Sequence, residues 1–215
     1  MKKHMITLHH LNQSRSFRIL WLLEEIKQPY QLKRYYRDAT THLAPESLKR
    51  IHPLGKSPVL EWDGKVIIES GAMIELLIQK FAPHLAPDLN DPAYADYLQW
   101  IHFSESSAMV PYLLKVFNSV ETQRGTELVF LDQYAQAESD KVFGFINEYL
   151  QDKSFLIADR LTGADFMMGF VLNGLIHTMQ QAENYPQIQR YVEGLTALAS
   201  WKSAVEIESA NSSQS

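Results

Sequence analysis

Three short stretches hold residue types that could bind and activate a small anionic ligand. Asn12-Gln13-Ser14-Arg15 stands directly ahead of an apolar run through Phe17, Ile19, Leu20, Trp21, Leu22, Leu23 and Ile26. A serine hydroxyl at a helix start, beside an arginine, favours an anion through both the helix dipole and the cation. His52-Pro53-Leu54-Gly55-Lys56-Ser57-Pro58-Val59-Leu60 places a lysine next to a Ser-Pro turn. Ile68-Glu69-Ser70-Gly71-Ala72-Met73-Ile74 puts a carboxylate and a hydroxyl at the head of another apolar run. There Ser70 and the unpaired N–H groups of a helix end suit a carboxylate, while Glu69 can accept from an ammonium. Each feature also has a plain reading: Ser14 and Ser70 as helix caps, Lys56 as a solvated charge.

Other chemistries fail on spacing. Gly55-Lys56-Ser57 resembles the end of a phosphate-binding loop, but the first glycine of that motif would fall at Arg50, and Pro58 stands where a helix must begin. Neither G-x-G-x-x-G nor G-x-S-x-G occurs, and the eight histidines show no H-E-x-x-H or comparable metal spacing. His9 and His10 are adjacent, so on a strand their rings take opposite faces. The chain has no cysteine, which removes disulfides, thiolate metal sites and a cysteine nucleophile.

The elements that must position these residues fall into two groups. Met5–Leu11, Tyr30–Tyr36, Val59–Trp62 and Val66–Ile68 read as strands, the last two joined by the hairpin signal Asp63-Gly64. Helices are expected from the Asn12–Arg15 stretch to Ile26, over 42–51, and from Ser70 to Phe81, giving the order β-α-β-α-β-β-α. Ala82–Pro92, with Pro83, Pro87 and Pro92, has linker composition. Beyond it only helical periodicity remains, over 92–118, 124–151, 163–182 and 186–200, and the polar Ser203–Ser215 reads as a frayed end. Thr162-Gly163-Ala164-Asp165 is a capping box. The expected division is 1–82 as an α/β domain, 83–92 as linker, and 93–215 as an all-helical bundle.

Taken together, the Asn12–Arg15, Ser57-Pro58 and Glu69-Ser70 stretches, with the Thr162–Asp165 box, resemble the glutathione transferase superfamily over nearly the whole chain. The resemblance implies a thioredoxin-like first domain and a helical second one. It further implies that Ser57, before a cis Pro58, offers its backbone to the cysteinyl part of glutathione. Glu69 and Ser70 would hold the γ-glutamyl end, and Arg15 and Lys56 would meet carboxylates. In the family a Tyr, Ser or Cys after the first strand hydrogen-bonds the sulfur and favours thiolate. No Tyr or Cys occurs between Met5 and Ser16, so a bacterial-type, serine-like member is implied. Ser14 is the first candidate for that contact and Asn12, through its amide N–H, the second. The family's serine more often stands nearer the strand end, at about Leu11 or Asn12.

The implied activity is transfer of glutathione thiolate to a hydrophobic electrophile, a detoxification chemistry, with glutathione as co-substrate and no metal or other cofactor. Peroxide reduction or dehalogenation on the same scaffold, or non-catalytic ligand binding, are the alternatives. The second substrate would meet the first long helix of the second domain, where Tyr112 and His102 are polar. A homodimer is implied by resemblance alone. No apolar stretch is long enough to span a membrane, and the start lacks a secretory pattern, so a cytoplasmic location is expected. Net charge is −5, which argues against nucleic acid. The first 80 residues nevertheless carry 13 basic and 8 acidic side chains, against 7 and 17 in the remainder.

Overall fold

The computed structural model describes residues 5–210. Strands β1 (Ile6–Leu11), β2 (Tyr30–Tyr35), β3 (Val59–Trp62) and β4 (Lys65–Ile67) form one sheet in the order β2-β1-β3-β4. β1 runs parallel to β2 and antiparallel to β3, and β3 runs antiparallel to β4. Every residue of β1 is buried, as a central strand covered on both faces requires. Asp63 and Gly64 both take positive φ (52° and 75°), which a two-residue hairpin demands.

Helix α1 (Ser16–Glu25) follows β1, and α2 (Ser70–Phe81) follows β4. The expected helix over 42–51 is instead a 3₁₀ segment, Glu46–Arg50. Pro45 stands at its head in an extended conformation, so fewer residues remain for a helix. This is a thioredoxin-like α/β unit, and helices follow it.

Those are α3 (Tyr94–Phe103), α4 (Met109–Gln123), α5 (Val129–Tyr149), α6 (Gly163–Asn173), α7 (Pro186–Ala197) and α8 (Ala199–Ser209). The single helix expected over 92–118 is interrupted by a π turn at Ser104–Ala108. Pro111 lies just beyond it, lacks an N–H and crowds the carbonyl four residues back, so the helix widens there. A second π turn, Gly174–Thr178, ends the apolar run that begins at Gly163. Asp165 in the capping box is fully buried and accepts from Thr162 N, Thr162 Oγ1, Leu156 N and the Tyr191 hydroxyl. Burial lifts its carboxyl to about 6, and these donors pull the other way.

The expected frayed end is a correction. Ser203–Ser209 belongs to α8, while 211–215 lies outside the described residues. Contacts divide the chain into two compact units. One holds the residues up to Leu85 together with those from Thr196; the other is Ala86–Leu195. Within the first, α8 packs along α1. Trp201 sets its ring edge against Phe17 (4.9 Å) and Trp21 (4.7 Å), and Trp21 Nε1 donates to Ser200 Oγ (3.0 Å). Aromatic pairs of this geometry contribute about 0.5–1.5 kcal/mol each beyond area burial, enough to hold a short polar helix in place.

Candidate functional site

The turn between β1 and α1 is held from several sides. Asn12 N–H extends the parallel ladder to Tyr35 O (3.1 Å), and Gln13 takes φ +51° to reverse the chain. Ser14 is 7% exposed, and its Oγ accepts Ser16 N–H at 3.2 Å. Ser14 stands one residue ahead of the N-cap, Arg15, and its hydroxyl meets the first N–H of α1, at the helix's positive end. Asn12 Oδ1 accepts Arg37 N–H (3.0 Å), which turns the amide nitrogen of Asn12 to the other side. Arg37 also donates to Gln13 O (3.1 Å) and His42 O (3.0 Å). Burial, and next the charge of Arg15, press on its guanidinium and push its pKa down. Two cations thus flank this turn, Arg15 and Arg37, where the sequence pattern pointed to one.

Behind Ser14 lies a buried polar chain. Ser14 Oγ is 2.8 Å from Ser16 Oγ, which is 2.8 Å from His10 Nδ1. His10 Nε2 lies 3.1 Å from Glu208 Oε1, and the same oxygen accepts Gln13 N–H at 3.1 Å. His9, on the other face of β1, bonds Glu61 (2.6 Å) and the Tyr35 hydroxyl (2.8 Å). The two rings do take opposite faces.

The Ser57–Pro58 peptide bond is cis. Ser57 Oγ donates to His9 O (2.9 Å) and accepts Leu11 N–H (3.2 Å), so its side chain docks the turn onto the end of β1. What remains for a ligand is its backbone. Gly55 carries φ +59°, and a Cβ there would stand 2.7 Å from Lys49 Cγ, so the approach to this turn needs glycine. Leu11 N–H is shared between Ser57 Oγ and Ser16 Oγ, both at 3.2 Å, which ties the Ser57-Pro58 turn to the Ser14 turn.

Glu69 is exposed and heads α2 with φ +69° and ψ +112°, a conformation costly for a residue with a side chain. Such strain persists where its surroundings over-determine it, often at ligand sites. Ser70 is buried, and its Oγ accepts from Arg18 Nη1 (3.0 Å). With its oxygen so occupied, Ser70 has its own proton to donate. Arg18 is fully buried on α1 and sets a cation behind the start of α2. Arg15 is half-buried, and Lys56 is exposed next to Ser57.

The structure therefore joins Asn12, Ser14, Ser57 and Pro58 around Leu11, and joins Ser70 to α1 through Arg18. Lys56, Arg15 and Glu69 reach outward from the same unit. Sequence reasoning passed over His10, Ser16, Arg18, Arg37 and Glu208. An arginine inside the apolar run Phe17–Leu23 was the signal for Arg18. In the second unit, Tyr97, Trp100 and Ile101 are core residues. Tyr112 is half-buried, which raises its phenol pKa against a bond from Thr178, and His102 is exposed. A Cβ on Gly174 would come 2.4 Å from the Tyr112 hydroxyl oxygen. Among the described residues no cluster could hold a metal ion, and no helix is long and apolar enough to cross a membrane.

Comparison with known proteins agrees with this layout. Residues 3–78 match the model described as glutathione S-transferase, N-terminal domain, and residues 130–199 match the C-terminal domain model. The chain is 32% identical over 200 residues to glutathione S-transferase 3 of Schizosaccharomyces pombe, covering 87% of this chain and 81% of that protein. It superposes on a glutathione S-transferase from Actinobacillus pleuropneumoniae with TM-score 0.83 and 34% identity, over 95% of this chain and 93% of that one. It shares its fold with Ure2p5 from Phanerochaete chrysosporium, cocrystallised with 1-(S-glutathionyl)-2,4-dinitrobenzene (TM-score 0.78, 18% identity, 98% and 97% covered).

Proposed function

The chain belongs to the glutathione S-transferase family, and we propose that it conjugates glutathione thiolate to a hydrophobic electrophile with Ser14 as the group that holds the sulfur. The observation that carries this reading is the nearly buried Ser14 hydroxyl at the start of α1, flanked by Arg15 and Arg37. A free thiol ionises at a pKa of about 8.5, so each unit of depression multiplies thiolate at neutral pH almost tenfold. A donated hydroxyl, a helix N-terminus and two cations all favour the anion.

Glutathione then lies with its cysteinyl backbone along Ser57 and its γ-glutamyl end at Glu69 and Ser70. Ser70 donates to the α-carboxylate while Arg18 supports it from behind. Glu69 accepts from the α-ammonium. The exposed Lys56 and the half-buried Arg15 meet the remaining carboxylate. The thiolate attacks the electrophilic carbon, a C–S bond forms, and the displaced group leaves with the bonding electron pair. Positioning and charge stabilisation are what the protein supplies. We assign glutathione the role of co-substrate, propose a cytoplasmic location, and propose a homodimer on the family resemblance alone.

Turnover of 1-chloro-2,4-dinitrobenzene with glutathione tests the reading. Ser14→Ala is expected to lower kcat with little change in KM for glutathione. If Ser14→Ala turns over normally and Asn12→Ala does not, the sulfur belongs to Asn12. Glutathione binding without turnover of any electrophile or peroxide would point to a ligand carrier instead.

A further inference from the structure

The buried polar chain behind Ser14 has a second capacity. We infer that Ser14, Ser16, His10 and Glu208 form a proton relay that takes the thiol proton of bound glutathione inward and leaves the Ser14 hydroxyl donating to the thiolate. The inference rests on the reading of Ser14 given above and adds the fate of the proton.

Counting donors and acceptors shows why the chain is directional. A hydroxyl has one proton and two lone pairs, and one lone pair of Ser16 already receives Leu11 N–H (3.2 Å). The one Ser16 proton has two acceptors within reach, the Leu11 carbonyl (3.1 Å) and His10 Nδ1 (2.8 Å); with His10 neutral and its proton on Nε2, the shorter contact to Nδ1 opens the path inward. The remaining lone pair of Ser16 then receives the Ser14 hydroxyl (2.8 Å). Ser14 Oγ, which also accepts Ser16 N–H, keeps one lone pair for an incoming S–H. Transfer proceeds by one step at each oxygen. The S–H bond breaks and its proton bonds to Ser14; the former Ser14 proton moves to Ser16, and that of Ser16 to His10 Nδ1. Both hydroxyls end neutral, His10 ends as imidazolium, and the new Ser14 O–H points at sulfur. No electrons are gained or lost.

The far end is built to receive the charge. His10 is 2% exposed, and its Nε2 has no hydrogen-bond partner in good alignment, yet Glu208 Oε1 lies 3.1 Å away. A buried polar atom in that state calls for an explanation. The relay accounts for it: Glu208 stands close enough to stabilise a positive ring by proximity once the proton arrives. Arg34 of β2, the register partner of His10, is also charged, and its guanidinium donates to Ile207 O (3.1 Å). From α1 the ring meets the neutral Ser16. The Glu208 side chain is 23% exposed, which gives the relay an outlet to water for resetting.

The test is nitrogen NMR of histidine-labelled protein at a pH where His10 is neutral without ligand, its signal assigned by its loss in His10→Gln. Glutathione should convert His10 to imidazolium, whereas S-methylglutathione, which has no thiol proton, should not. In parallel, the pKa of bound thiol is read from thiolate absorbance. Ser16→Ala and Glu208→Gln should each raise it by about one unit, a tenfold loss of thiolate, with KM for glutathione unchanged. Glu208→Gln keeps an oxygen for Gln13 N–H and so keeps the turn. An unmoved His10 signal, an equal response to S-methylglutathione, or an unmoved thiol pKa in Ser16→Ala and Glu208→Gln would overturn the relay. If at the same time Ser14→Ala raises the thiol pKa, the reading of Ser14 stands without it. If Ser14→Ala leaves the thiol pKa unmoved, or glutathione does not bind, both are lost.

Discussion

The two ends of the proposed glutathione site are built differently. The proposed γ-glutamyl end, at Glu69 and Ser70, closes one stretch of chain that runs from the cis Ser57–Pro58 bond through the hairpin at Asp63-Gly64 to the strained Glu69 that heads α2. The thiol end draws on β1, α1, the Arg37 backbone and, through Glu208, the last described helix. In the proposed reading the first end binds through groups placed by local chain geometry. The second is proposed to control a proton, and that takes buried partners from distant parts of the chain. Loss at the first end should therefore appear in KM for glutathione, and loss at the second in kcat.

The largest effect is expected from Ser14→Ala. A hydrogen bond to a charged group is worth about 1.5–3 kcal/mol, so kcat should fall about ten- to hundredfold near neutral pH with KM for glutathione little changed. Because the lost interaction favours the anion, the bound thiol pKa rises. The deficit should then shrink as pH climbs past that value, when the thiol ionises unaided. A pH profile of kcat that runs parallel to wild type would break the comparison from this side.

Ser70→Ala comes next and tests the other end. Removing the hydroxyl takes one donor from the ligand carboxylate and removes the bond from Arg18 Nη1 to Ser70. KM for glutathione should rise about tenfold, corresponding to about 1.4 kcal/mol, with kcat nearly unchanged. A fall in kcat instead would mean that the ends are not separable.

Asn12→Ala should cost less. It removes the acceptor of Arg37 N–H, for about 1 kcal/mol of stability by thermal melting, and lowers kcat by a few-fold at most through loosening of the turn. A loss as large as that of Ser14→Ala would transfer the sulfur contact to Asn12. Lys56→Ala should have the smallest effect. As an exposed charge it contributes about 0–1 kcal/mol, so KM should rise no more than a few-fold, and added salt should erase the difference from wild type.

The same contrast explains what could be read in the sequence. The hairpin, the Ser57-Pro58 turn, Glu69-Ser70 and the Thr162–Asp165 box are each set by residues within a few positions of one another, and their spacing announces them. So do the strands of the sheet, whose apolar residues cluster in short runs between turn residues. Glu208 is different: it meets Gln13 and His10 across nearly the whole chain, and no local pattern encodes that meeting. The helix that carries it reads as a polar tail because its buried face consists of Ser200, Trp201 and Ala204 alone. That face is held by Phe17 and Trp21, which lie far back in the chain. Arg18 is hidden for a related reason, since its neighbours Phe17 and Ile19 mark the segment as core and its guanidinium meets Ser70 of α2, 52 positions on. The 3₁₀ segment and the π turns depend on Pro45 and Pro111, whose effect on the backbone is local but whose tertiary accommodation is not.

The central claim is that the Ser14 turn turns a bound thiol into a thiolate. The most direct measurement is the pKa of glutathione's thiol on the protein, followed by thiolate absorbance across a pH titration, for wild type and Ser14→Ala side by side. A wild-type value below the free thiol's, and a Ser14→Ala value at least one unit higher at equal glutathione occupancy, is the predicted result. Equal values for the two proteins would contradict it.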